Sequence, residues 1–348
     1  MMSKTYFNEA EVIRTVMDFN HSEGGSENAF NIAYGIDKNF LFGCGVSIAS
    51  VLLSNPSGHF VFHVFTDYFS DDDRQKFDDL AAQYKTHISV YLIDCEKLKS
   101  LPSTKNWTYA IYFRFIIFDY FASRLDRILY LDADIVCQNS VDELLSLEFA
   151  GGACAVVAEG EAPWWKKRAE ALRCTGIENG YFNTGFLFVD LRAWQSQKIT
   201  FQAIEMLQKA EVAQLVSFPD QDVLNMIFSG NVLFLDKKYN TQFSLNYELK
   251  EKGSFVVPIN EHTVFIHYIG PTKPWHNWAV YESAEPFFIA KSYSPWNEYP
   301  LLDPRNSNQY RYCAKHMANQ GKLWKSVCSY TNYYIAKLKK KWNRGGNE

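Results

Sequence analysis

The chain has 348 residues, 47% hydrophobic and 21% charged, with a formal net charge of -4. That balance belongs to a folded globular protein and excludes a disordered or fibrous one, and the charge leaves no electrostatic footprint for a nucleic-acid partner. The 7 cysteines (Cys44, Cys95, Cys137, Cys154, Cys174, Cys313 and Cys328) include no pair at CxxC spacing, which argues against a Cys-based zinc site and for reduced, buried thiols in a cytosolic protein.

Residues 1–28 read as an N-terminal extension. The opening MMSKTYFNEAEVIRTVMDF has acids where a signal peptide needs an apolar run, and HSEGGSEN closes the segment as a polar, Gly-rich linker. A strand follows at 30–35 and a helix at 42–53. The β-branched and aromatic run FVFHVFT predicts a buried strand at 60–66. Ser70 is placed to cap a helix over 71–84, with acids in the first turn where the helix dipole favours them. Residues 87–93 return to strand, 109–121 read as helix, and RILYL at 127–131 is a strand running straight into Asp132-Ala133-Asp134. Further strands are expected at 153–157, 186–189, 232–235 and 264–267. The alternation predicts an α/β fold with helices on both faces of a sheet, where ligands bind beyond the carboxyl ends of strands. No stretch reaches the roughly 18 apolar residues of a membrane-spanning helix.

Four segments carry candidate chemistry. In ILYLDADIV, Asp132 and Asp134 lie two apart at the end of an apolar strand. On a regular strand both face one side, and carboxylate oxygens suit Mg²⁺ or Mn²⁺. The same pattern also reads as a polar turn. In HYIGPTKPW, His267 ends a strand, Gly270-Pro271 makes a turn with free backbone N–H groups, and Lys273 adds a cation, a set that suits a metal–diphosphate. In FPDQD, Asp220 reads as an N-cap with Gln221 and Asp222 in the first turn, or as polar groups facing a ligand. GYFNTGF is a Gly-flanked turn that presents Asn183.

Taken in order, NIAYGIDKNF, YFRF, LYLDAD, GYFNTGF, DQDVLN and HYIGPTKPW resemble glycosyltransferase family 8 from about Asn31 to Trp275. The likeness is strongest to bacterial members that add hexoses to the lipopolysaccharide outer core, and there it extends through FGCGVSIASVLL, LPSTKNW, YNTQFSLNYELK and the tail. The resemblance implies a GT-A type, Rossmann-like mixed sheet flanked by helices over residues 29–290, a UDP-hexose donor, Mn²⁺ or Mg²⁺, and retention of anomeric configuration. It makes Asp132, Asp134 and His267 the metal ligands. Gly35, Ile36, Asp37, Asn39 and Phe40 would hold the uridine, with Asp37 on the uracil and Phe40 stacking where the family commonly has Tyr. Asp132 and Ala133 would lie near the ribose, Gly270 and Lys273 on the diphosphate, and Arg114 near donor phosphate or sugar. Asn183, Thr184, Asp220 and Gln221 would surround the hexose, with Gln221 and Asp220 as the catalytic pair and Glu159 on the acceptor side.

From Lys291 the tail holds 11 Lys and Arg against 3 Asp and Glu, interleaved with ten Tyr and Trp. Residues 291–348 therefore read as a small, basic, helical C-terminal region that associates with an anionic membrane surface. With the resemblance, this implies an enzyme on the cytoplasmic face of the bacterial inner membrane, adding an α-hexose (α-1,3-galactose) to a glucose of nascent lipopolysaccharide core. An α-1,3-glucosyltransferase, a non-catalytic nucleotide-sugar or lipopolysaccharide binder, and a sugar-nucleotide hydrolase are the alternatives.

Overall fold

The structure, a computed structural model, describes residues 5–24, 29–103, 108–251 and 255–345, with side chains of the last helix described through 339. Part of the Gly-rich linker, the TKNW of LPSTKNW and the side chains of the last basic residues lie outside the described residues.

The strands are β1 (Ile13–Asn20), β2 (Phe30–Ile36), β3 (Phe60–Thr66), β4 (His87–Ile93), β5 (Arg127–Leu131), β6 (Ile135–Cys137), β7 (Cys154–Ala158), β8 (Phe182–Asp190), β9 (Leu233–Leu235), β10 (Thr241–Gln242) and β11 (Phe265–His267). Eight form one mixed sheet in the order β1-β4-β3-β2-β5-β8-β7-β9, and three form a small one, β10-β11-β6. β4, β3, β2 and β5 run parallel, whereas β8 is antiparallel to both β5 and β7. Alternate residues serve opposite faces, as the pleat requires: Ile32 and Tyr34 enter one apolar core, and Ala33 and Phe65 enter the other. The first core is covered by α1 (Leu41–Ser54) and α2 (Asp71–Tyr84), the second by α3 (Phe113–Phe121).

Several expectations hold closely. β3, β4, β5 and α2 have the predicted bounds, and Ser70 caps α2 in a box with Asp73 (Ser70 Oγ accepts from the Asp73 N–H at 3.2 Å). Others differ. Residues 1–28 read as an extension, yet Ile13–Asn20 pairs antiparallel with β4 as an edge of the main sheet. Its side chains are mostly solvent-facing, so it lacks the apolar alternation that marks a strand. The single helix expected over 109–121 opens as a 3-10 turn at Tyr109–Tyr112 before α3 begins.

Beyond α4 (Ala162–Leu172) and α5 (Pro219–Phe228), the chain ends in α6 (Ser307–Asn319) and α7 (Leu323–Gly345), which pack on each other. The 290/291 boundary falls inside the helix Glu285–Ser292. Trp296, 2% exposed, is buried in the first core with its ring 5.3 Å from Phe77. None of the seven cysteines is disulfide-bonded, and five are buried. Among the described residues, no helix is long and apolar enough to cross a membrane.

Candidate metal and donor site

The centre lies where β5 ends. Asp132 follows Leu131, and its N–H donates to the Gly185 carbonyl at 2.8 Å. The chain then turns, closed by Ile135 N–H to Asp132 O, and enters β6. β6 pairs antiparallel with β11 in a register that puts His267 opposite Ile135. The Tyr268 N–H also donates to the Asp134 carbonyl at 2.9 Å. Two distant segments are thereby stitched together, and one ligand atom each from Asp132, Asp134 and His267 falls within 4.8 Å of the others. His267 Nε2 is 3.2 Å from Asp134 Oδ1 and 4.0 Å from Asp132 Oδ2.

The donor set fits a divalent cation. Asn240 Nδ2 donates to Asn183 Oδ1 at 3.1 Å, which turns the Asn240 carbonyl oxygen to His267 Nδ1 at 3.0 Å. That oxygen only accepts, so Nδ1 carries the proton and the Nε2 lone pair faces two carboxylates. Lone pair against carboxylate is repulsive; a cation between them turns the repulsion into coordination. Burial works to raise the Asp134 carboxyl, but the Lys273 ammonium against it holds it below the usual carboxylate range. The Lys273 ammonium bonds Asp134 Oδ2 and, at 2.9 Å, the Tyr268 carbonyl.

β8 brings the sugar side to the same place. Opposite β7 its register slips, Val156 pairing with Leu187 but Val157 with Asn183. The bulged residues Thr184 and Gly185 lie against the site. Asn183 Nδ2 donates to Glu159 Oε2 and to Gln221 Oε1, both at 3.1 Å. Gln221 Nε2 donates to Glu159 Oε2 at 2.9 Å and to the Tyr181 hydroxyl at 3.0 Å. Asn183, Gln221 and Glu159 thus form one polar cluster, in which the residue expected on the acceptor side, Glu159, bonds two of those expected around the hexose.

Arg114, Thr184 and Asp220 are turned inward instead. Arg114 is 3% exposed; its Nη1 donates to the Thr184 carbonyl, and its Nη2 lies 3.2 Å from Asp132 Oδ1. Nη1 is also 3.2 Å from Asp220 Oδ2. Burial opposes its charge, and Tyr130, Asp220 and Asp132 together restore it. Arg114 therefore braces Asp132 and Asp220 from below; it was expected near donor phosphate or sugar. Asp220 accepts from Thr184 Oγ1 at 3.0 Å, and burial, opposed by Arg114, lifts its carboxyl above the ordinary value.

Nor is Asp220 the N-cap of α5. Phe218 occupies that position with Pro219 in the first turn. The capping is done by Asp222, fully buried, whose Oδ2 accepts from the N–H groups of Ser217 (2.7 Å) and Phe218 (2.9 Å). Its other oxygen takes the Tyr181 hydroxyl at 2.6 Å and the Arg168 guanidinium.

The expected uridine residues sit at the carboxyl end of β2, beside β5. Gly35 and Ile36 finish the strand, and Asp37 Oδ1 accepts from the Asn39 N–H (2.8 Å) and side-chain amide (3.1 Å), a turn that feeds α1. Phe40 is half-buried, edge-on to Trp275 at 5.7 Å. Ala133 is buried. Gly270 has φ +87° and is exposed, which leaves its backbone open at the turn.

Residues that sequence reading passed over include Asn240, Tyr181 and Arg168. The signal for Asn240 was its place in YNTQFSLNYELK, which marks the segment but not the residue's role.

Comparison with known proteins places this geometry. The glycosyl transferase family 8 model matches residues 31–279, and the family's C-terminal model matches residues 281–337. The chain is 57% identical over 341 residues to the lipopolysaccharide 1,3-galactosyltransferase of Salmonella typhimurium, covering 98% of this chain and 99% of that one. It is 52% identical over 340 residues to the lipopolysaccharide glucosyltransferase WaaO of Escherichia coli, covering 97% and 100%. The solved structure of the galactosyltransferase LgtC with donor and acceptor sugar analogs shares the fold, with TM-score 0.64 and 20% identity over 76% of this chain and 96% of that one. The mixed sheet is therefore of the expected GT-A type, and with matches across nearly its whole length the chain belongs to glycosyl transferase family 8 and is a glycosyltransferase.

Proposed function

We propose that the chain moves an α-hexose from a UDP-sugar to a glucose of the lipopolysaccharide outer core with retention, the sugar being galactose in α-1,3 linkage. The observation that carries the reading is the Asp132–Asp134–His267 cluster facing the Asn183–Gln221–Glu159 cluster across the β8 bulge. The 57% identical relative, named a 1,3-galactosyltransferase, supports galactose; the 52% identical one, named a glucosyltransferase, keeps glucose as the second reading.

Asp132, Asp134 and His267 would hold Mn²⁺ or Mg²⁺, which when bound neutralises charge on the departing diphosphate. Lys273 and the exposed backbone at Gly270 would add positive charge at the same oxygens. Asp37, Asn39 and Phe40 would seat the uridine. Asp220 has its carboxylate engaged by Thr184 and Arg114, so it is badly placed to attack the sugar. Gln221 is held on both amide atoms and is a poor nucleophile. Both points favour attack from the face the leaving group departs, with the amide oxygen of Gln221 stabilising positive charge at the sugar and the leaving phosphate taking the acceptor's proton.

The C-terminal helix supports docking on the cytoplasmic face of the inner membrane. On α7 the face buried against α6 carries Ser326 and Ser329, while Leu323, Trp324, Val327, Tyr334, Ile335 and Leu338 point outward. Large apolar residues on the exposed face and lysines beside them suit an anionic lipid interface.

The test is UDP release from UDP-galactose and UDP-glucose, with Mn²⁺, Mg²⁺ or EDTA, with and without truncated lipopolysaccharide. Acceptor-stimulated, EDTA-sensitive release from UDP-galactose is expected. Release from UDP-glucose alone transfers the assignment to the second reading. Release that ignores acceptor, or none at all, overturns the proposal.

A further inference from the structure

The turn that bears Gly270 and Lys273 is also gripped from the C-terminal helices. Thr272, fully buried, donates from Oγ1 to Asn246 Oδ1 at 2.8 Å. The same oxygen lies 3.0 Å from Nε2 of His316, which is itself 3.4 Å from Thr272 Oγ1. His316 sits on α6, is fully buried, and has Nδ1 2.8 Å from the Tyr281 hydroxyl. Asn246 Oδ1 only accepts, so Nε2 carries the ring proton, and Nδ1 accepts from Tyr281. A neutral imidazole satisfies every partner, and burial, helped by Lys315, keeps the ring neutral by lowering its pKa to about 4. At the end of α6, Asn319 Nδ2 donates to the Glu248 carbonyl (2.9 Å) and Gln320 Nε2 to the Trp278 carbonyl (2.8 Å). The helix end thereby binds the two segments that flank the turn.

We propose that His316 is a positioning residue for the donor diphosphate, setting the 270–273 turn through Asn246 and Thr272. The α6–α7 pair is then part of the frame of the donor site as well as an appendage. The proposal rests on the reading that Gly270 and Lys273 meet the diphosphate. A histidine that only stabilised the fold would affect all ligands alike. One that sets this turn acts on the diphosphate and leaves the uridine alone.

The experiment is calorimetric binding of UDP and of uridine, in Mn²⁺, to the full chain and to His316→Phe and His316→Gln. Phe keeps the bulk and loses both hydrogen bonds; Gln keeps a donor near the Nε2 position. His316→Phe is expected to raise Kd for UDP about ten-fold, to leave Kd for uridine unchanged, and to raise donor KM by the same factor with kcat retained. His316→Gln should stay near wild type. Should His316→Phe fail to fold, Tyr281→Phe removes only the hydroxyl that orients the ring and carries the same comparison. Equal weakening of UDP and uridine, or no weakening of either, overturns the proposal. A wild-type protein that binds UDP no tighter than uridine removes the reading of the turn, and the proposal with it.

Discussion

A methyl group at residue 185 would sit 2.4 Å from Cε1 of His267 and 2.8 Å from Oδ2 of Asp132. Two of the proposed metal ligands therefore close on a space that only glycine leaves open. Gly185→Ala is expected to weaken Mn²⁺ binding and turnover by on the order of 10–100-fold, the range seen when metal ligands lose their support. The same overpacking should also lower its melting temperature modestly. Manganese titration checks this, and wild-type affinity would refute the steric account. Asp132, Asp134 and His267 were legible in the sequence because a strand-end carboxylate pair and a strand-end histidine are local patterns. Gly185, Asn240 and Asp222 were not. Their roles exist only through partners far along the chain, as when Asn240 reaches Asn183 across 57 positions. Arg114 was legible as a site residue through YFRF, but its bonds to Asp132 and to the Thr184 carbonyl exist only in the packed structure.

At the scale of elements, period and capping located most strands and helices, because buried runs such as FVFHVFT and the capped segment of α2 state their geometry locally. β1 escaped since an edge strand with one row of buried partners shows no alternation. The three-residue β6 escaped because ILYLDADIV reads as one strand and a turn, and its pairing with β11 lies over a hundred residues away. The slip in β8 is likewise invisible locally, though it is what carries Thr184 and Gly185 to the metal ligands. For α7 the apolar stripe carries a prediction. Trp324, Val327 and Leu338 are 78%, 55% and 67% exposed, so Asp at all three leaves the fold intact. The triple variant should lose co-sedimentation with vesicles rich in anionic lipid, while retaining transfer to a water-soluble acceptor. Undiminished co-sedimentation would leave the stripe without this role.

The molecule as a whole buries groups that make its stability depend on pH. Burial lowers His63 and His276 to about 3 and His316 to about 4. Between those values and the unfolded value of 6.5, the unfolded chain binds more protons than the folded one, so stability is lost as pH falls below about 6.5. Asp119 acts oppositely. Burial lifts it to about 6 from 3.8 although it accepts from the Phe7 and Tyr6 N–H groups, so the folded chain binds more protons between about 4 and 6 and this group's share rises as pH falls there. Asp220, also raised by burial, acts in the same direction as Asp119, and the three histidines outweigh these two carboxyls. Urea denaturation is expected to show lower stability at pH 5 than at pH 7. Asp119→Asn, which keeps the acceptor and removes the charge, should gain on the order of 2–3 kcal/mol at pH 7 and steepen the acid loss; a flat profile in both proteins would contradict this assignment.

The ion pair between Lys273 and Asp134 has a further consequence. The ammonium holds the very carboxylate that, on the proposed reading, a divalent cation would take, so each cation would be an obstacle to the other. An anion that draws Lys273 away frees Asp134, and a metal that takes Asp134 frees Lys273 for an anion. By thermodynamic reciprocity each ligand then strengthens the other by the same factor. On that reading the resting site would be a latch that yields to metal and nucleotide arriving together and resists either one alone.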